Sequence, residues 1–357
     1  MRAGPRTAWA VSMIAACTAS DPPPPDTSGV GGSVVQFVAA SGAYRIQPPR
    51  ARLGQLDDRV SLGSITDILV LDDRIFVADG LDPRIVAFDW SLNPVRASGR
   101  EGDGPGEFRF PRRLTAAGER RLAVLDPGMA RVSYFDSSGE FNDDITITAN
   151  ASDIAHHRSV GLLVSGDVFP SHYLLRIDST GSVPFGIIPE NLQERGGVPR
   201  ELERVLPRHR NLVTVATDGR IYVLDQQQLA LVAYESTGEI AETLLFPHAL
   251  RERELQEANE AAEALGDRLI SIEIASELRP LDDGRLFVRM TSGDTLGYVL
   301  DPGTRQATPL LTPVGPDWTW MRRGTIGAVN MRQLVIGDSW EAELHAAEIR
   351  FLEAGRF

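Results

Sequence analysis

Three segments of this chain lie over one another: Arg74-Ile75-Phe76-Val77-Ala78-Asp79 running to Phe88-Asp89, Arg121-Leu122-Ala123-Val124-Leu125-Asp126 to Phe135-Asp136, and Arg220-Ile221-Tyr222-Val223-Leu224-Asp225 to Tyr234-Glu235. In each, a β-rich run ends on an acid, and an aromatic-plus-acid pair closes a second run soon after. Self-similarity at roughly 40–60 residues marks a repeat architecture, in which one unit buries its apolar face only against its neighbour.

The unit reads as four strands, A to D. Strand B recurs six times, at Ile75–Asp79, Leu122–Asp126, Leu162–Asp167, Ile221–Asp225, Leu286–Arg289 and Leu334–Asp338. Strand C follows at Ile85–Asp89, Val132–Asp136, Leu174–Asp178, Leu231–Glu235, Tyr298–Asp301 and Ile349–Leu352. These runs are rich in Val, Ile, Leu, Phe and Tyr and bounded by Gly, Asp or Pro, as strands should be. Turns such as Ser138-Gly139-Glu140 and Thr237-Gly238-Glu239 lead into a short strand D. The expected fold is all-β, a six-bladed β-propeller of four-stranded blades, since closing the ring leaves no exposed end face. The last unit stops near its strand C, and Arg59-Val60-Ser61-Leu62 is a spare strand expected to complete that blade and shut the ring.

The loop Gly99-Arg100-Glu101-Gly102-Asp103-Gly104-Pro105-Gly106-Glu107-Phe108, leading to Pro111, resembles the inter-blade loop of NHL-type six-bladed propellers, a group related to TolB-like propellers. The resemblance covers residues 57–357 in architecture, with the loop present once. Its glycines are not a nucleotide site, because neither Gly-Lys-Ser/Thr nor a helix-forming segment follows.

The N-terminus reads as a targeting segment, with basic Arg2 and Arg6, an apolar stretch Ala8 to Ala16, and the chain's one cysteine at Cys17. That stretch is far short of the ~20 residues a spanning helix needs. Ile14-Ala15-Ala16-Cys17 resembles the lipobox of bacterial lipoproteins, which implies lipidation at Cys17; an ordinary secretory signal cut near Ala16 to Ser20 is the alternative. Thr18 stands where the family's inner-membrane retention signal has Asp, so the resemblance implies an outer-membrane anchor facing the periplasm or the cell surface. Residues 18–56 are a Pro/Gly-rich tether and lead-in, followed by the propeller at 57–357.

The formal net charge is −13, and all 36 basic residues are arginine. An acidic chain without a clustered basic footprint is a poor partner for nucleic acid. Without lysine there is neither a P-loop nor Schiff-base chemistry. Helical spacing of Leu250, Leu255, Ala258, Ala262, Leu265 and Leu269 predicts one helical insertion over 250–269, covering the ring or docking a partner.

The acid ending strand B has a companion of opposite charge five positions on (Asp79 with Arg84, Asp126 with Arg131, Asp167 with His172), expected to clasp the B–C turn. No His-Glu-x-x-His, paired-cysteine site, EF-hand loop or Gly-x-Ser-x-Gly occurs, so no catalytic residue, cofactor or metal ligand is assigned. Gly337-Asp338-Ser339 lies on a strand B, where the repeat explains it. Basic residues recur at or near the innermost strand of five successive units: Arg112 and Arg113, His156 and His157, His209 and Arg210, Arg279, and Arg323. They either pair with nearby carboxylates or form an anion-accepting channel mouth, since guanidinium grips carboxylate or phosphate with a two-pronged fork. The expected function is a monomeric, membrane-anchored binding module for an envelope protein, glycan or small anionic ligand. The alternative is a channel-centred lyase or hydrolase acting on an anionic sugar or peptide.

Overall fold

The computed structural model describes residues 32–353 apart from 54–59, 119, 148–149, 168–170, 179–180, 194–210, 266–272, 292–294, 315–317, 319–320, 322–324, 329–332 and 339–342. Cys17, His209, Arg210 and Arg323 lie outside the described residues. The chain is an all-β, six-bladed propeller.

Four short strands come first: β1 Ser33–Gln36, β2 Val38–Ala39, β3 Ala43–Ile46 and β4 Ala51–Leu53. The first blade is β5 Ile65–Leu71, β6 Arg74–Asp79, β7 Arg84–Phe88 and β8 Pro94–Ser98, antiparallel in sequence order. The second is β9 Arg113–Ala116, β10 Arg121–Asp126, β11 Arg131–Asp136 and β12 Phe141–Thr146; the third is β13 Asn150–His157, β14 Gly161–Asp167, β15 His172–Asp178 and β16 Gly181–Ile187. A short helix, α1 Glu190–Gln193, follows. The fourth blade is β17 Leu212–Val215, β18 Ile221–Asp225, β19 Ala230–Tyr234 and β20 Ile240–Leu245. Helix α2, His248–Leu265, comes next, starting two residues earlier than expected; residues 266–269 lie outside the described residues. The fifth blade is β21 Ala275–Pro280, β22 Leu286–Met290, β23 Gly297–Asp301 and β24 Gln306–Leu311, and the sixth is β25 Thr325–Ala328, β26 Gln333–Asp338 and β27 Glu343–Leu352.

Closure differs from the expectation in its detail. Among the described residues, Val60, Ser61 and Leu62 form no strand, and β4 takes the outer position of the sixth blade, pairing antiparallel with β27 through Leu53↔Leu344 and Ala51↔Ala346. The segment before it is a belt. β1 adds a parallel fifth strand to the fourth blade (Ser33↔Glu242), β2 lies along β24 (Val38↔Gln306), and β3 joins β24 to β27. Residues expected as lead-in thus contribute strands to three blades.

The core is a ring of interblade layers. Six buried apolar clusters lie between neighbouring blades, and one of them joins Ile65, Ile68 and Val77 of the first blade to Val335 and Leu344 of the sixth. A β-carbon on Gly337 would meet Ile65 at 2.8 Å, so the glycine in Gly337-Asp338 answers a packing need at this seam.

The Gly99–Phe108 loop is folded on itself. Phe108 N–H donates to the Arg100 carbonyl (2.8 Å) and Gly104 N–H to the Glu107 carboxylate (2.8 Å). Gly99 sits at φ +80°, where a β-carbon would strike the buried Phe108 ring at 2.4 Å, so only glycine fits there.

The expected turn clasps of Asp79 with Arg84 and of Asp126 with Arg131 do not form, and the side chain of Asp167 lies outside the described residues. Asp79 accepts backbone N–H bonds from Gly63 (2.8 Å) and Ser64 (2.9 Å), and Asp126 from Arg109 (2.7 Å) and Phe110 (3.1 Å). Asp225 accepts the Tyr173 hydroxyl at 2.6 Å. Arg131 instead donates to the Gly104 and Glu107 carbonyls, and Arg84 to the Ser61 carbonyl. Backbone N–H groups of the loop entering strand A would otherwise be buried without a partner, and the acids supply one.

Candidate functional site

The six inner strands run the same way around the axis. Loops joining D to A and B to C lie at one end, and A–B turns lie at the other. Halfway along, three buried carboxylates recur on alternate blades: Asp67, Asp153 and Glu277. Each sits at a register shift in its inner strand and reaches the inner strand of the next blade. Leu114 N–H donates to Asp67 (2.7 Å), Val213 N–H to Asp153 (3.0 Å) and Ile326 N–H to Glu277 (3.0 Å). The bulge lets the acid side chain turn sideways to accept a backbone N–H of the neighbouring blade's inner strand, so the acid acts as a latch between blades.

Arginines answer these acids. Arg279 bonds to Asp67 and lies 3.9 Å from Glu277, Arg289 lies 3.4 Å from Glu277, and Arg113 lies 3.6 Å from Asp153. Arg113 also donates to the Ser276 carbonyl (3.0 Å), and Arg279 approaches the Leu114 carbonyl at 3.5 Å. The second and fifth blades, on opposite sides of the ring, are thereby tied across the axis. Burial pushes the Asp153 and Glu277 carboxyls up, with Arg113 and Arg289 respectively pulling back.

Of the proposed mouth, Arg112 lies at the D–A end, 3.9 Å from Glu273. Arg113 and Arg279 meet at mid-channel. His156 and His157 close β13 at the opposite end, so the basic positions do not form one ring on one face. His157 Nδ1 accepts from Ser159 N–H (3.2 Å) and Val160 N–H (3.1 Å), which makes it the cap of its A–B turn. His156 Nδ1 is buried with no hydrogen-bond partner, and burial, helped by the charges of Arg121 and His157, holds its pKa below the ordinary imidazole value.

On the A–B side of the arginines lies a cavity of about 350 Å³. It is lined by Arg113, Arg279, Asp153, Glu277 and His156 together with Leu69, Thr115 and Val215, and Thr217 and Asp282 lie where the A–B turns begin. Among the described residues, no group of three His, Cys, Asp or Glu side chains could hold a metal ion, and no helix is long and apolar enough to cross a membrane. The latch acids escaped the sequence reading because each resembles an ordinary polar strand position. Their signal is the acid-plus-aliphatic pair Asp67-Ile68, Asp153-Ile154 and Glu277-Leu278, in every second unit.

The fold and this channel define the class: a six-bladed β-propeller. In agreement, the DUF5128 family model, described as a 6-bladed beta-propeller, matches residues 55–164. A protein from Bacteroides fragilis described as exported superposes with TM-score 0.56 at 13% identity, covering 90% of this chain and 100% of its own. A DUF4221 family member from Bacteroides vulgatus gives 0.53 at 10% identity over 88% and 100% of the two chains. Virginiamycin B lyase from Staphylococcus aureus gives 0.52 at 9% identity over 86% and 99%. Likeness at these identities is of fold alone.

Proposed function

We propose that this is an exported, lipid-anchored propeller of the NHL/TolB-like type, monomeric, that binds a ligand in its channel at the cell envelope. The Gly99–Phe108 loop supports the type. Ile14-Ala15-Ala16-Cys17 supports the anchor, and the description of the Bacteroides fragilis relative as exported is in line with it. The observation that carries the binding reading is the state of the channel acids. Asp67, Asp153 and Glu277 are each held by backbone N–H groups and stand against Arg279, Arg113 and Arg289, which gives them a structural role as latches beside a cavity of about 350 Å³.

Native mass spectrometry of the full chain extracted from its membrane tests this reading. The expected result is a small molecule or envelope component that leaves unchanged in mass and no longer binds once Ala116→Phe fills the cavity. A second reading, a channel lyase or hydrolase, is favoured by one observation: the unpartnered His156 Nδ1, a neutral imidazole able to take a proton. A bound molecule released with altered mass, and released unaltered by His156→Gln, would select it.

A further inference from the structure

A second opening lies outside the channel, where the belt crosses from the fifth blade to the sixth. β23 and β24 pair with Val299 opposite Thr308 and Asp301 opposite Gln306, so these four share one sheet face. β3 extends that sheet beyond β24, and Tyr44 on β3 stands opposite Phe351 on β27. With Arg285 they line a cavity of about 200 Å³. That is below the ~300–1,000 Å³ of drug-sized sites and suits a single small ring.

Its aromatic wall is exposed and yet fixed. Phe351 is 52% exposed, with its ring edge-to-face on Tyr44 at 5.1 Å and seated on Gly42, where a β-carbon would strike it. Arg285 lies over the Tyr44 ring at 5.5 Å, donates to the Tyr44 hydroxyl and is held by Asp283 at 2.9 Å. A ring pinned in this way loses little further freedom when a ligand stacks on it.

The polar groups are of both kinds. Asp301 accepts Gly303 N–H (2.9 Å) and Thr304 N–H (3.0 Å) on one oxygen, and its other oxygen has no hydrogen-bond partner among the described residues. The side chains of Ser41, Gln306 and Thr308 have none there either, although Thr308 is only 8% exposed. The bare carboxylate oxygen repels an anion. The guanidinium already covers the Tyr44 face that a cation would use. A neutral molecule whose groups both donate and accept fits best, and hydroxyls have that property.

We propose that this cleft binds one pyranose ring of a neutral sugar, its C–H face on Phe351 and its hydroxyls on Asp301, Gln306 and Thr308. The slightly positive C–H face of such a ring matches the negative face of the phenyl group. The site is separate from the channel and does not rest on the channel reading. Because Ala40 to Tyr44 belong to the belt, a bound sugar also pins the belt in place.

The probes are the methyl pyranosides of glucose, galactose and mannose, with choline as a cation, added to the full chain in a polyoxyethylene detergent, which carries no sugar. Saturation-transfer NMR detects weak binding and shows which face of the ring is in contact. At least one pyranoside is expected to receive saturation, most strongly at the C–H protons of one face. Phe351→Ala should weaken binding about tenfold, and Phe351→Trp should retain it. Should Phe351→Ala fail to fold, Phe351→Leu, which keeps an apolar contact with Tyr44 and offers no ring face, takes its place. Asp301→Asn keeps an acceptor for the turn N–H groups and should still weaken binding about tenfold. Ala116→Phe, in the channel, should change nothing. Transfer to none of the pyranosides, or transfer that survives loss of the Phe351 ring, would overturn the site. Loss of binding in Ala116→Phe would move the sugar to the channel, and choline bound in its place would make the cleft a cation cage; either result overturns the assignment.

Discussion

Arg113 of the second blade donates to the Ser276 carbonyl of the fifth at 3.0 Å, across the axis of the ring. The next residue, Leu114, donates its N–H to Asp67 of the first blade at 2.7 Å. Two adjacent residues thus serve opposite purposes, one spanning the ring and the other stitching its circumference.

If the stitching holds the ring, removing one latch should be costly. Asp67→Ala leaves Leu114 N–H and the Arg279 guanidinium buried without their acceptor, and should cost about 3–5 kcal/mol in urea unfolding. Arg112→Ala at the rim, with its side chain partly in solvent, should cost about 1 kcal/mol or less. Equal losses would show that the latch is no stronger than a surface pair.

Acid response follows from the carboxyls of Asp153 and Glu277, which burial raises. A raised acid stabilises the fold below its unfolded pKa, and that contribution is lost as pH rises through the folded value. The turn acids behave in the opposite sense. Asp89 is lowered chiefly by the Asn93 side chain and Asp136 chiefly by Ser138, so their contribution is present above the unfolded value, about 4, and lost as pH falls through the folded one. Loss of the turn acids' contribution should therefore lower the melting temperature below about pH 4. Asp153→Asn removes the raised acid, so its deficit against wild type should narrow as pH rises. A widening deficit would mean that Arg113, not burial, governs this carboxyl.

Deleting residues 18–32 should leave the melting temperature within about 2 °C of wild type, because a Pro/Gly-rich tether contributes few contacts. Deleting through Leu53 strips β1 to β4 and exposes the edges of three blades, and should lower it by more than 10 °C, about the effect of several kcal/mol. Indistinguishable curves would mean that the belt is ornamental.

Cys17→Ala should move the protein from the membrane pellet to the soluble fraction or leave its leader uncleaved, since stable anchoring takes more than one acyl chain. An unmodified, wholly soluble wild-type mature N-terminus would exclude the anchor.

The ring was legible in the sequence because the units repeat the same local physics: continuous apolar strands B and C, an acid ending strand B in five of the six, and in most a glycine turn. The belt was not. Val34–Gln36 and Val38–Ala39 are short runs after Gly32, and their partners near residues 242 and 306 leave no local mark. The turn clasps misled because charge spacing indicates that Asp79 and Arg84 face one another, while the geometry gives Asp79 to Gly63 and Ser64. The channel was half legible: Arg113 and Arg279 stood out as basic positions on an acidic chain. Their acids did not, because each latch joins residues 47 to 60 positions apart.

The belt also orders events in time. β1 is made among the first residues of the fold, yet its partner is the last strand of the fourth blade, and β4 waits for β27 at the far end of the chain. Such distant pairings are slow to form, and until they do the leading strands keep open edges able to join other chains. The ring can close only once the sixth blade has been made, so a chain emerging by its N-terminus needs its first strands shielded until β27 has arrived.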